Sequence, residues 1–326
     1  MKHISILVPQ GAVALGCIEG PYILFNKANE FLVSIGKSAL FKVQLVGLKK
    51  EAQVYDRLFA VTPDIVFRDV VKTDLVIIPA VNGEMKSVID WNKEFFPWIK
   101  MQHSKGAEVA SLCVGTFLLA ATGLLSGKQC STHWSAVDNF RTMFPDVDLV
   151  SDKIITDENG IYSSGGANSF WNLLLYLLEK YTTRELAILF SKYYEIEIDR
   201  HSQSPFIMFK GQNIHTDESV KKAQEFIEGN VSDKISVEDL ASKFAIGRRN
   251  FERRFKKATN NTPVEYIQRV KIEAAKKSLE TSHKNVGEVM YDVGYTDTKA
   301  FRTVFKKITG LSPIAYRSRY NPANSI

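Results

Sequence analysis

Cys113 is placed for chemistry. In Ala110-Ser111-Leu112-Cys113-Val114-Gly115-Thr116-Phe117-Leu118-Leu119 an apolar strand pattern runs into an apolar helix pattern, and the cysteine marks the junction. A thiol on such an elbow projects from the top of a sheet, where the dipole of the following helix would favour the thiolate. His133 follows twenty positions later, in Ser131-Thr132-His133-Trp134. Nucleophilic thiol chemistry needs a base within hydrogen-bond reach and a third group orienting that base. The pair alone therefore leaves three readings open: a catalytic nucleophile, a ligand- or redox-sensing thiol, and a structural cysteine. His133 is correspondingly a general base, or a hydrogen-bonded pocket or core histidine.

Basic side chains are the second chemical feature. From Asp217 to the end the chain carries 21 Lys+Arg against 14 Asp+Glu, leaving 21 against 22 in residues 1–216. A basic last third on a near-neutral body is the electrostatic footprint of a polyanion partner, although a charge run alone is also what a solvated helix face looks like. Order within the run decides the matter. Phe251–Arg269 (FERRFKKATNNTPVEYIQR) returns fifty positions later as Phe301–Arg319 (FRTVFKKITGLSPIAYRSR), with eight of nineteen positions identical. Such a repeat implies two copies of one small helical unit sharing a core.

The elements that must carry these residues follow from spacing. Phe251, Phe255 and Ala258, like Phe301, Val304, Phe305 and Ile308, recur at helical intervals and predict helices over about Arg248–Thr259 and Thr298–Thr309. Ahead of the first lie Val237, Leu240, Ala241 and Phe244, opened by Ser236 with Asp239 three residues on, and then the turn Ala245-Ile246-Gly247. Ahead of the second lie Val286, Val289, Met290 and Val293, then Gly294-Tyr295-Thr296, with Asp297 as cap. This is helix-turn-helix written twice. Thr262-Pro263-Val264-Glu265 starts a connecting helix that runs to about Thr281. At about 1.5 Å per residue it spans roughly 28 Å, comparable to the ~34 Å between successive major-groove segments on one face of DNA.

Leu240-Ala241, Gly247, Arg249, Phe251, Arg253 and Phe255, followed by Thr262-Pro263 and Tyr266, then Val293-Gly294-Tyr295 and Asp297, then Phe305-Lys306-Lys307 and Ser312-Pro313, together resemble the AraC-type DNA-binding domain over Ile235–Tyr320. Asn260-Asn261 stands in place of that family's glycine, Gly247 in place of its serine cap, and Met290 in place of alanine. The resemblance implies base-facing positions at Arg249, Asn250, Glu252 and Arg253, and at Thr298, Lys299, Arg302 and Thr303. It also implies phosphate contacts from Lys256, Lys257, Lys306 and Lys307. The chemistry suits these roles: Arg pairs with guanine O6/N7, Asn with adenine N6/N7, and Glu accepts from cytosine N4.

Residues 1–195 alternate short apolar runs with amphipathic stretches. Strands are expected at Ile4–Val8, Phe41–Gly47, Leu75–Pro79, Glu108–Leu112 and Ile161–Ser163. Helices are expected over Pro21–Ser34, Val88–Lys105 and Gly115–Leu125, with one long closing helix over Asn168–Phe190. Alternation of this kind predicts a parallel sheet covered by helices, with ligands at the carboxyl ends of its strands. With the cysteine elbow, Gly20-Pro21 and the run from Asp157 to Gly166, the segment resembles the amidase-like, class I glutamine amidotransferase-like superfamily and implies its flavodoxin-like α/β fold. That superfamily brings a carboxylate to the cysteine from the loop after the first strand. Here the place falls at Gly16 or Cys17, and Glu19 is the nearest acid. Cys113, His133 and Glu19 are thus candidates for a sensor site, and an active hydrolase is not expected.

An amidase-like domain ahead of an AraC-type domain resembles the GlxA-like transcriptional regulators, and Asp199-Arg200 with Gln203-Ser204-Pro205-Phe206 matches that family's joining segment. The expected organisation is an α/β sensing or dimerisation domain over 1–195, a linker over 196–216, and an all-α DNA-binding domain over 217–326. The expected function is sequence-specific binding of double-stranded operator DNA as a homodimer under an unknown small-molecule effector. The alternative is a cysteine-dependent amidase or glyoxalase-like enzyme, through Cys113 and His133, tethered to DNA. A third reading makes the front domain a dimerisation platform only. Three cysteines give no disulfide framework and no paired metal spacing, so neither cofactor nor metal is expected. Pro9-Gln10 interrupts the first apolar run and no run reaches ~18 residues, so a cytoplasmic protein without membrane spans is expected.

Overall fold

The computed structural model describes residues 1–55, 59–213 and 215–321. They divide into two compact units, Met1–Gln203 and Ser204–Ile326. Of the segment 196–216, the first part packs with unit one. Ile196 lies against its core, and the buried Gln203 side chain donates to the Thr132 and Ser151 carbonyls and accepts from the Gly166 N–H.

Unit one is built on a seven-stranded sheet. Its spatial order is Ile155–Asp157, Ile161–Ser164, Glu108–Ser111, Leu75–Ile78, Lys2–Val8, Phe41–Gly47 and Ile65–Val66. All neighbours are parallel except the first pair, so an antiparallel edge closes an otherwise parallel sheet. The central strand Leu75–Ile78 is buried on both faces, which is why it reads as an unbroken apolar run and not as an alternation. Five of the seven strands lie where the apolar runs place them; Ile65–Val66 and Ile155–Asp157 are too short to announce themselves.

The helices of this unit are α1 (Gly16–Ser34), α2 (Met85–Asn92), α3 (Phe95–Ser104), α4 (Thr116–Ala121), α5 (Val137–Met143), α6 (Phe170–Tyr181) and α7 (Arg184–Tyr193). Two stretches expected as single helices are pairs. The break between α2 and α3 follows Asn92, whose buried amide accepts from the Gln10 N–H and donates to the Gln10 and Val88 carbonyls, stitching the end of α2 to the loop after the first strand. The break between α6 and α7 falls at Thr182-Thr183, where the Thr183 hydroxyl accepts from the Leu186 N–H and caps a new helix. The helix expected over Gly115–Leu125 is shorter: a 3₁₀ turn over Cys113–Gly115 leads into α4, which stops at Ala121 just before Gly123 at φ 82°.

Unit two is all-helical: α8 (Glu218–Gly229), α9 (Val237–Lys243), α10 (Arg248–Thr259), α11 (Pro263–Thr281), α12 (Val286–Asp292), α13 (Thr298–Thr309) and α14 (Pro313–Tyr320). It holds two separate cores. One gathers Leu240, Phe251, Phe255 and Tyr266; the other gathers Met290, Phe301, Phe305 and Tyr316. Helix α11 serves both, giving Ile267 and Val270 to the first and Ile272, Ala275 and Leu279 to the second. The residues shared by the two sequence copies do the same work in each. Thr259 donates to the Phe255 and Asn261 carbonyls, and Thr309 to those of Phe305 and Leu311. Tyr266 donates to Glu228 on α8, and Tyr316 to Glu280 on α11. Both copies also end their first helix in the left-handed region, Asn260 at φ 56° and Gly310 at φ 73°. Asparagine therefore performs the glycine's task in copy one, since its short polar side chain tolerates that region.

Candidate functional site

Cys113 sits at the carboxyl end of the Glu108–Ser111 strand with a positive φ of 55°, a conformation a side-chain-bearing residue holds only when its surroundings impose it. The surroundings are visible. The Cys113 N–H donates to the Ser164 hydroxyl at 3.1 Å, and the Cys113 carbonyl accepts from Thr116 at 3.0 Å and Thr132 at 3.2 Å. Gly115 allows the close approach, because a Cβ there would lie 2.6 Å from the Ile78 carbonyl oxygen.

The thiol itself is buried, 7% exposed. Burial first, and the neighbouring Cys17 second, push its pKa up to about 12, against a single opposing hydrogen bond from the Val114 N–H. The thiolate expected from the helix dipole is not what the structure holds. The elbow opens through a 3₁₀ turn into a helix of only six residues, and burial outweighs what that short dipole offers. Cys17 is likewise buried and raised to about 11, chiefly by desolvation.

Among the described residues no hydrogen bond joins Cys113 to His133 or Glu19. His133 caps the 3₁₀ turn Trp134–Ala136, with Nδ1 accepting from the Ser135 N–H at 3.1 Å and 2.8 Å from the Ser135 hydroxyl. Half-buried, it has its pKa lowered by desolvation. Glu19 is exposed in the first turn of α1, and the α1 residue beside Cys113 is Cys17. Among the described residues no group of three or more His, Cys, Asp or Glu side chains converges as a metal site. No described helix is long and apolar enough to cross a membrane.

In unit two the predicted DNA-facing residues stand together on two helix faces. Arg249, Asn250 and Arg253 on α10, and Thr298, Lys299, Arg302 and Thr303 on α13, are exposed; Glu252 is half-exposed. Lys256 and Lys257 are exposed in the last turn of α10, as are Lys306 and Lys307 in that of α13. On α10 the polar groups are linked before any partner arrives. Arg253 Nη2 donates to Asn250 Oδ1 at 2.9 Å, and Arg248 Nε donates to Glu252 at 3.0 Å while its Nη1 meets Glu238 of α9. Arg248 is not among the site residues expected from sequence, although its i,i+4 spacing to Glu252 marks the pair. Nor is Arg254, which grips Asp217, the cap of α8, through two hydrogen bonds of 2.8 and 2.6 Å.

Fold and site define a class: a flavodoxin-like α/β domain with a cysteine elbow, followed by a paired helix-turn-helix module. A DJ-1/PfpI family model matches residues 23–180, and a helix-turn-helix domain model matches residues 240–319. The HTH-type transcriptional regulator GbdR of Pseudomonas aeruginosa is 27% identical over 260 residues, a match covering 78% of this chain and 68% of that protein. The HTH-type transcriptional regulator ArgR of the same organism is 25% identical over 216 residues, covering 66% and 65%. A solved AraC family transcriptional regulator from Pseudomonas putida shares the fold, with a TM-score of 0.51 at 14% identity over 60% of this chain and 100% of that one. The chain is a DNA-binding transcriptional regulator that joins a DJ-1/PfpI domain to an AraC-type helix-turn-helix domain.

Proposed function

We propose that α10 and α13 enter successive major-groove segments of one operator. Arg249, Asn250, Glu252 and Arg253, and then Thr298, Lys299, Arg302 and Thr303, face base edges, while Lys256, Lys257, Lys306 and Lys307 meet phosphates. The observation that carries this reading is the matched build of the two helices. Each buries a phenylalanine pair completely and leaves its cationic face open.

Unit one serves as the sensor. It holds a small-molecule effector at the carboxyl ends of its parallel strands near the Cys113 elbow and pairs two chains, so that two half-sites raise affinity through effective concentration. It works in the cytoplasm and does not catalyse. A buried, protonated Cys113 thiol and a His133 bonded to Ser135 support a non-catalytic elbow. The alternative, a cysteine-dependent amidase or glyoxalase-like activity, draws on the left-handed backbone at Cys113.

Selection from random duplexes with the full-length protein, with and without a metabolite library, tests the regulator reading. A consensus with two helical-turn-spaced segments is expected, and its affinity shifts with at least one metabolite. Incubation of wild type and Cys113→Ala with amide and glyoxal substrates separates the alternative; Cys113-dependent turnover would establish it.

A further inference from the structure

Lys271 lies midway along α11, where that helix passes from one core to the other: Ile267 and Val270 before it belong to the first, Ile272 and Ala275 after it to the second. A lysine at this point is unexpected on apolar grounds, yet only 6% of it is exposed. Its ammonium donates to three main-chain carbonyls, Val231 at 2.7 Å, Asp233 at 2.8 Å and Val293 at 2.9 Å. An ammonium has three N–H donors, and here each has an acceptor.

The acceptors come from both halves of the unit. Val231 and Asp233 precede α9 in the first helix-turn-helix, and Val293 closes α12 in the second. Their contact is close enough to require glycine in the turn of the second motif: Gly294 has φ +73°, and a Cβ on it would fall 2.3 Å from the Ser232 carbonyl oxygen and 2.6 Å from Lys271 Nζ. From that turn the connection continues. Lys271 Nζ lies 5.9 Å from the centre of the Tyr295 ring, and Tyr295 packs edge-on against Phe301 of α13 at 5.4 Å.

We infer that Lys271 is the positioning residue that fixes the separation and orientation of the two recognition helices, and so sets the operator spacing this chain reads. Without the ammonium, three carbonyl dipoles would converge on an apolar junction with nothing between them, and the two motifs would lose their direct polar tie, keeping the continuity of α11, Val231, which packs against both cores, and the segment 204–209, where Phe209 packs on the first core and the Pro205 carbonyl accepts from Tyr320 of the second. Each motif has its own buried core, so loosening the junction leaves two intact helix-turn-helix units whose mutual geometry is no longer set. The second contact then costs ordering entropy on binding, and the gain from tethering falls.

This inference rests on the proposed two-segment binding, and the experiment keeps the two apart. Full-length wild type, Lys271→Met, Lys271→Arg and Gly294→Ala are measured against the selected duplex, a duplex with its second segment scrambled, and duplexes with one or two base pairs inserted between the segments. Wild type is expected to lose about 100-fold or more on the scrambled duplex and to fall sharply with each insertion. Lys271→Met and Gly294→Ala are expected to lose about 10-fold or more on the selected duplex, to match wild type on the scrambled one, and to show a flattened dependence on spacing. Lys271→Arg, keeping charge and donors, restores part of that dependence. Equal losses on selected and scrambled duplexes would reduce Lys271 to a support of the fold and overturn the inference. A wild type indifferent to the second segment would overturn two-segment binding, and this inference with it. If Lys271→Met does not fold, Gly294→Ala carries the same comparison, and unchanged spacing dependence there is equally decisive against it.

Discussion

Replacing Arg253 by alanine gives the sharpest reading of the first recognition helix. The side chain is exposed and, among the described residues, its hydrogen-bond partner is the exposed Asn250 at 2.9 Å. Its removal should therefore change stability by no more than about 0.5 kcal/mol, so a binding loss cannot be charged to unfolding. An arginine forked onto a guanine edge is worth about 1–3 kcal/mol of discrimination, or about 5- to 150-fold in affinity. Asn250 loses its orienting partner in the same variant, so Asn250→Ala and the double variant complete a cycle with a coupling of about 0.5–3 kcal/mol. Fluorescence anisotropy would be run on the selected operator, on its single-base variants and on random duplex at fixed salt. The expected result is a large loss on the operator, relaxed preference at one base, and little change on random DNA. The same factor lost on operator and random duplex would refute a base-reading role for Arg253.

Other expectations follow from the same geometry. Lys306→Ala should weaken binding to all sequences alike and reduce the slope of log affinity against log salt by about one, as measured by titration across salt. Gly310→Ala, at φ 73°, should destabilise the protein by about 1–2 kcal/mol, whereas Asn260→Gly at φ 56° should leave it equal or more stable, compared by urea midpoint. Asp217→Asn keeps the cap on α8 but loses the Arg254 pair and should cost under about 1 kcal/mol, while Asp217→Ala loses both and should cost more. Cys113 should alkylate slowly near neutrality. Because its folded pKa of about 12 lies above the ordinary 9.0, its contribution to stability is fully present below pH 9.0 and is lost as pH rises toward 12. Iodoacetamide labelling rates and urea midpoints from pH 7 to 10 check both, with Cys113→Ser as the comparison.

The two halves of the chain were legible to different depths, for physical reasons. In unit two the bounds of α10, α11 and α13 coincide with those read from sequence, because caps and stops are written in local residues: Thr262-Pro263 at a start, Asp297 at another, Asn260 and Gly310 at the ends. In unit one the strands were legible as apolar runs, but the paired helices were not, since the breaks depend on Asn92 reaching Gln10 across the fold and on Thr183 capping where periodicity continues. At the elbow the sequence located Cys113 and left its state open among nucleophile, sensor and structural cysteine. Motif spacing places a thiol near a helix end; only the packed structure shows that Cys17 and burial dominate that dipole. Lys271 was illegible for a related reason, as its three acceptors are main-chain carbonyls scattered over sixty-odd residues.

Major-groove methylation protection on the selected operator tests the central claim most directly. The account predicts two protected segments on one face of the duplex, about one helical turn apart, with Arg253→Ala losing protection in one and Arg302→Ala in the other. A single protected segment per chain, or one segment abolished by both substitutions, would contradict it.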